Sequence, residues 1–177
     1  MADMIVPLYA LDEAETAAAI GALGQRGVVI RRALAAERRP VVAWVASQFG
    51  DGWVGEAETA FSRTPTTCLI AIKGQTLLGF ACFDVAALGF FGPTGVDPAA
   101  RGGGIGAGLL KATLSAMRAT GYAYAIIGGV GPADFYTRIA GAMPIPGSTP
   151  GIYAGQLRSA TPAPAPHLPS NDKSSEP

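Results

Sequence analysis

The stretch of the 177-residue chain that most restricts its fold is Arg101-Gly102-Gly103-Gly104-Ile105-Gly106, which joins an apolar segment to a helical one. Residues 88–96 read as a strand that ends in Thr94-Gly95-Val96. Beyond the glycines, Ile105, Leu109, Leu110, Thr113, Leu114 and Met117 recur at spacings of three and four, the apolar stripe of a helix. A strand that turns directly into a helix leaves the first N–H groups of that helix without intrahelical partners, facing whatever lies above the turn. Glycines give the backbone the freedom such a turn needs, and without Cβ atoms they let an anion approach the amides. Arg101 adds a fixed charge and a planar fork of donors at the same place. The segment therefore predicts an anion site with room for two successive phosphates.

Known phosphate-binding patterns narrow the choice. A P-loop needs lysine and then serine or threonine after its last glycine, but Gly106 is followed by Ala107 and Gly108. The dinucleotide fingerprint needs a third glycine three residues after the second, where Leu109 stands. What remains is arginine, two residues, glycine, one residue, glycine, directly after Val96-Asp97-Pro98. This resembles the GCN5-related N-acetyltransferase superfamily, whose members carry (Gln/Arg)-x-x-Gly-x-(Gly/Ala) between a strand and the central helix. The next apolar strand and Phe135-Tyr136 follow in the superfamily's order. The resemblance covers residues 28–157 and is strongest over 94–114. It implies a mixed α/β fold of acyl-CoA N-acyltransferase type, with a mostly antiparallel central sheet splayed at a cofactor slot and helices on both faces.

The same resemblance assigns roles. It implies acetyl-CoA as co-substrate, its pantetheine arm along Thr94, Gly95 and Val96 and its pyrophosphate among Arg101, Gly102, Gly103, Gly104, Ile105, Gly106 and Ala107. Ile127 and Gly128 then form the far wall, and the glycine-rich run 128–132 and Asp134 lie beside the arm. Tyr136 takes the position of the general acid, and a backbone N–H near Val96 that of the oxyanion donor. Direct transfer also needs an amine made neutral. Glu56, Glu58 and Asp84 are the candidate bases, with Glu56 preferred and a water chain the alternative. Trp53, Phe80 and Phe83 line the acceptor pocket or pack the core.

The remaining elements place this segment in one domain, residues 1–158, followed by a Pro/Ser-rich tail, 159–177, whose composition predicts disorder. Residues 5–11 read as a strand, and 12–23 as a helix with Asp12 at its N-cap. A strand over 28–33 and helices over 36–49 and 53–61 precede a hairpin of 67–73 and 77–84. Gly121 ends the central helix, 122–127 is a buried strand, and Pro132 opens a short helix. A last pair of strands is expected at 143–145 and 151–157. With Gly74 and Gln75 as the hairpin centre, Cys68 shares a face with Ala81 and Cys82 points the other way.

Charge removes several function classes. Lys plus Arg and Asp plus Glu are 13 each, so no basic field draws in nucleic acid. The one histidine, His167, falls in the tail, which leaves no histidine metal site or triad in the body, and no metal is expected. No apolar run is long enough to span a bilayer, and Met1-Ala2-Asp3-Met4 lacks the basic region of a secretory signal, so a cytoplasmic protein without a membrane partner is expected. The resemblance implies as acceptor the primary amine of a small or amino-acid-like molecule. A non-catalytic acyl-CoA-binding module and a protein acetyltransferase are the competing readings, and dimers are common among the proteins it resembles.

Overall fold

The structure, a computed structural model, describes residues 2–157; the expected tail lies outside them. Strand β1 is Met4–Pro7, and after a 3-10 turn helix α1 runs Glu13–Gly24. Asp12 caps α1 as the sequence suggests, its Oδ1 accepting the Glu15 N–H at 3.0 Å. Strand β2 (Val28–Arg32), helices α2 (Arg38–Phe49) and α3 (Val54–Phe61), and strands β3 (Cys68–Lys73), β4 (Thr76–Phe83) and β5 (Phe90–Val96) follow. The central helix α4 is Ile105–Ala119, then come β6 (Tyr124–Ile127), α5 (Ala133–Ala140) and β7 (Met143–Pro144). Among the described residues no helix is long and apolar enough to cross a membrane.

The strands form one seven-stranded sheet in the order β2-β3-β4-β5-β6-β1-β7. Neighbours are antiparallel except β5 and β6. That exception follows from connectivity, because α4 carries the chain back across the sheet between them, and a crossover of this kind yields parallel strands.

Side-chain alternation divides the core into two layers. Leu69, Ala71, Ala81 and Phe83 face α1 and α4, whose Leu23, Leu109, Leu110, Leu114 and Met117 are buried against them. Cys68, Ile70, Phe80 and Cys82 face the other way, onto Val41, Val45, Ala57, Ala60 and Phe61 of α2 and α3. Burying each large apolar side chain contributes about 1.5–3 kcal/mol, so the two layers hold helices on both faces of the sheet.

Two expectations are corrected. Cys68 lies directly opposite Cys82, not Ala81. The expected register holds next to the turn, where Ile72 faces Leu77, but a bulge between Ala71 and Ile72 shifts every later pair by one residue. Both cysteines are buried and free. The expected last strand, 151–157, is absent. Gly151–Tyr153 is a 3-10 turn, and Gly151 and Gly155 have φ of +62° and +73°, values that no strand adopts.

Candidate functional site

The sheet is forked at its centre. Strands β5 and β6 pair only at Phe90 with Ile126 and Phe91 with Ile127. Beyond that point β5 remains bonded to β4 alone, through Thr94, Gly95 and Val96. The Asp97 N–H donates to the Leu78 carbonyl at 2.9 Å, so alternation turns the main-chain groups of Gly95 towards β4 and those of Thr94 and Val96 towards the open side. The Val96 carbonyl accepts from Arg101 Nε at 3.2 Å, and the N–H groups of Thr94 and Val96 face the gap. The gap widens into a cavity of about 1360 Å³.

At one end of this cavity lies the glycine turn. Gly102 and Gly104 have φ of +79° and +81°, which side-chain-bearing residues rarely adopt. A Cβ at either would meet no other atom within 4 Å, so both glycines border open space. Gly104 is the N-cap of α4, and Ile105, Gly106 and Ala107, the first residues of that helix, line the cavity with N–H groups free of intrahelical bonds. The positive pole of the α4 dipole adds to this field. Gly103 does not line the cavity; its carbonyl accepts from Arg26, which follows α1. Arg26 thus ties α1 to the turn, a contact that no local pattern in the sequence signals.

Ile127 and the glycine-rich residues 128–132 line the cavity. Tyr136 on α5 is buried, lies edge-on to Phe91 and Phe135, and borders the cavity. Burial pushes its phenol above the usual value, and among the described residues its hydroxyl has no hydrogen-bond partner. Asp134 departs from expectation. It sits in the first turn of α5, exposed, and does not reach the cavity, because the same helix that turns Phe135 and Tyr136 inward turns Asp134 out.

Glu56 lies at the end away from the turn, half-buried in the wall, and burial raises its carboxyl above the ordinary range. Trp53, one turn earlier on the same side, packs against Phe49 with ring centroids 5.0 Å apart and ring planes tilted by 40°. Phe49 lies so close to β5 that a Cβ at Gly95 would overlap its ring. Of the expected aromatic lining only Trp53 is in place; Phe80 and Phe83 are fully buried in the two core layers. Glu58 pairs with Arg38 at 3.4 Å away from the cavity. Asp84 anchors the β4–β5 connection, accepting the Gly89 N–H at 2.7 Å and the Tyr122 hydroxyl at 3.0 Å. Glu56 is thus the one of the three candidate bases that borders the cavity.

The sequence reading missed the segment that closes this end. Thr149, Pro150, Tyr153 and Gln156 line the cavity, in place of the strand expected there. The Tyr153 phenol stands over Gly128, where an added Cβ would come within 2.6 Å of its oxygen. Buried Asp3 fixes both sides of this contact. Its N–H donates to Ser148 Oγ at 2.7 Å, its carbonyl accepts the Ile145 N–H at 2.8 Å, and its Oδ1 accepts the Gly129 N–H at 2.9 Å. Among the described residues no cluster of three or more His, Cys, Asp or Glu is placed to hold a metal ion.

The site therefore has an open strand edge, a glycine turn with free helix N–H groups at one end, and a half-buried carboxylate and a buried phenol within one cavity. The chain matches the acetyltransferase (GNAT) family over residues 33–141. None of the curated proteins matches it in sequence. Its fold is similar to that of a GCN5-related glucosamine N-acetyltransferase region in a fungal multi-domain β-N-acetylglucosaminidase (TM-score 0.67, 14% identity, 81% of this chain and 19% of that one). It is also similar to a GCN5-related N-acetyltransferase from Sphaerobacter thermophilus (TM-score 0.55, 19% identity, 67% and 42%). A Drosophila protein has the same likeness (TM-score 0.56, 15% identity, 81% and 47%). The chain spans less than half the length of each of these proteins, and at these identities the likeness is one of fold.

Proposed function

Because the chain belongs to the acetyltransferase (GNAT) family, we propose that it moves an acetyl group from acetyl-CoA to the primary amine of a small or amino-acid-like molecule. The observation that carries this reading is the fork. A bare β5 edge runs from an anion-binding turn to a cavity end that holds one half-buried carboxylate. The residues fit the co-substrate, since Gly102 and Gly104 border open space beside free helix N–H groups, and Thr94 and the Val96 N–H offer unpaired main-chain groups. Acetyl-CoA supplies an activated acyl group as a thioester.

The chain's own groups then divide the work. The N–H groups of Ile105, Gly106 and Ala107, with Arg101, hold the pyrophosphate. The free main-chain groups of Thr94 and the N–H of Val96 align the pantetheine arm as an added strand would be aligned, and a donor near Val96 faces the acyl oxygen as charge develops there. Glu56 takes a proton from the acceptor ammonium, directly or through water. Its raised pKa brings the carboxylate closer to the basicity such a step needs. The amine nitrogen bonds to the acyl carbon as the carbon–sulfur bond breaks; Tyr136, kept protonated by its surroundings, delivers a proton to the departing sulfur and is reprotonated, through water, by the second proton that the nitrogen sheds to become the neutral amide.

The test is a calorimetric titration with acetyl-CoA, with ATP as comparison, followed by thiol release over a panel of primary amines. Saturable binding of acetyl-CoA but not ATP, with amine-dependent thiol release, is the expected result. Binding without turnover of any amine would leave an acyl-CoA-binding module, and absence of binding would end the reading.

A further inference from the structure

Resting on the acyl-transfer reading above, the geometry points to a narrower acceptor: a single primary amine on an apolar, preferably aromatic, body, held between Tyr153 and Trp53 with its nitrogen towards Glu56. Three observations carry this. First, charge is scarce in the cavity. Among the described residues Glu56 is its only acidic lining residue, and the basic ones are Arg101 at the turn and Arg138 on α5. A polyamine would bring two or more cations to one carboxylate and meet two guanidinium groups, whereas a monoamine matches the single charge.

Second, the walls at this end are aromatic. Phe49 and Trp53 pack with ring centroids 5.0 Å apart, and Phe90 and Tyr153 stand on the side of Gly128. Flat aromatic faces hold an apolar body and also attract the ammonium before it loses its proton. Third, Tyr153 is positioned by construction rather than by accident of a loose end. Asp3 holds Ser148 and Ile145 on one side and Gly129 on the other, which fixes the phenol over Gly128. Tyr153 is close enough to Glu56 that, after burial, this carboxylate is the next cause of its raised phenol pKa. It lies outside residues 33–141, the span matched by the family, so the closure is contributed by this chain's own C-terminal segment.

The experiment compares steady-state thiol release with 2-phenylethylamine and with spermidine, in the wild type and in the variants Tyr153→Ala and Tyr153→Phe, at saturating acetyl-CoA. The expected kcat/KM for 2-phenylethylamine exceeds that for spermidine by roughly tenfold or more. Tyr153→Ala raises the KM for 2-phenylethylamine about tenfold with kcat within about twofold of wild type, and Tyr153→Phe, which keeps the ring, restores most of the loss. Acetyl-CoA affinity, measured calorimetrically on the same samples, serves as the folding control and stays unchanged. Equal or greater activity on spermidine, or a KM insensitive to Tyr153→Ala, overturns the acceptor class while leaving acyl transfer standing. Failure of both amines in a protein that binds acetyl-CoA overturns the acceptor class too, and turnover of other amines in the panel decides separately whether the acyl-transfer reading survives.

Discussion

At the glycine turn the cavity is walled by main chain, whereas at the Glu56 end it is walled by side chains from segments far apart in the sequence. Gly102, Gly104 and the first turn of α4 present N–H groups and bare Cα atoms, all within six consecutive positions. The other end draws Phe49, Trp53 and Glu56 from α2, α3 and the turn between them, Phe90 from β5, and Tyr153 from the C-terminal segment. A wall of main chain is intolerant of any added side chain but indifferent to which ligand body follows the phosphates. A wall of side chains can be changed one residue at a time, so the proposed acceptor would be selected there. This division predicts that substitutions at the turn abolish binding of the common donor, while substitutions at the far end alter rate or acceptor choice.

The largest expected effect is at Gly104. Valine there would place a branched side chain in the open space beside the α4 N–H groups, and at φ +81° it would also carry about 1–2 kcal/mol of backbone strain. Acetyl-CoA affinity should fall by roughly a hundredfold or more, the scale of losing several charge-assisted hydrogen bonds. Circular dichroism should still report a folded protein, because the substituted Cβ meets no neighbour within 4 Å. Undiminished affinity in a folded Gly104→Val protein would break the comparison at its strongest point.

Next comes Tyr136, which belongs to neither end. Its ring is packed against Phe91 and Phe135, and only its hydroxyl is free to act. Tyr136→Phe preserves that packing and should lower kcat by roughly a hundredfold while acetyl-CoA binding stays within about twofold of wild type. A wild-type kcat would reduce Tyr136 to a packing residue.

The contrast between the two ends also explains what the sequence reveals. The turn is legible because strand, glycines and helix are consecutive, and free N–H groups at a helix start follow from geometry alone. The parallel pairing of β5 and β6 is legible for a similar reason, since a helix separates them. The Cys68–Cys82 register was misjudged because a bulge leaves no mark in an apolar strand pair; nothing in Ile72 or Leu77 announces the slip. Tyr153 was misplaced because residues 151–157 contain enough apolar character to read as a strand, while the two positive-φ glycines that prevent one are equally compatible with a turn. Asp134 stands two residues before Tyr136, about 200° around the same short helix, so Tyr136 turns inward and Asp134 outward. Arg26 and Asp3 act at long range, through a contact with Gly103 and a clamp on Gly129 and Ser148. No local pattern encodes such partners.

The smallest effect sharpens the comparison from the side-chain end. Burial raises the folded-state pKa of Glu56, and a base acts only when ionised, so wild-type kcat/KM should rise with pH as Glu56 loses its proton. Glu56→Gln should lower kcat/KM about tenfold at neutral pH and remove that rising limb, with acetyl-CoA affinity unaffected. Stability should move in the opposite direction. Because the pKa is higher folded than unfolded, any stability that Glu56 contributes is complete below the unfolded value and is lost as pH rises through the folded one. At neutral pH the wild type therefore holds an ionised carboxylate in a partly desolvated place, and the amide of Glu56→Gln relieves it. The variant should melt at or above the wild-type temperature at pH 7, and the gap should close in acid. A variant that is slower yet no less stable would mark Glu56 as a group held for reaction. One that lost stability at pH 7 with an unchanged pH–rate profile would mark it as part of the scaffold and return the proton to water.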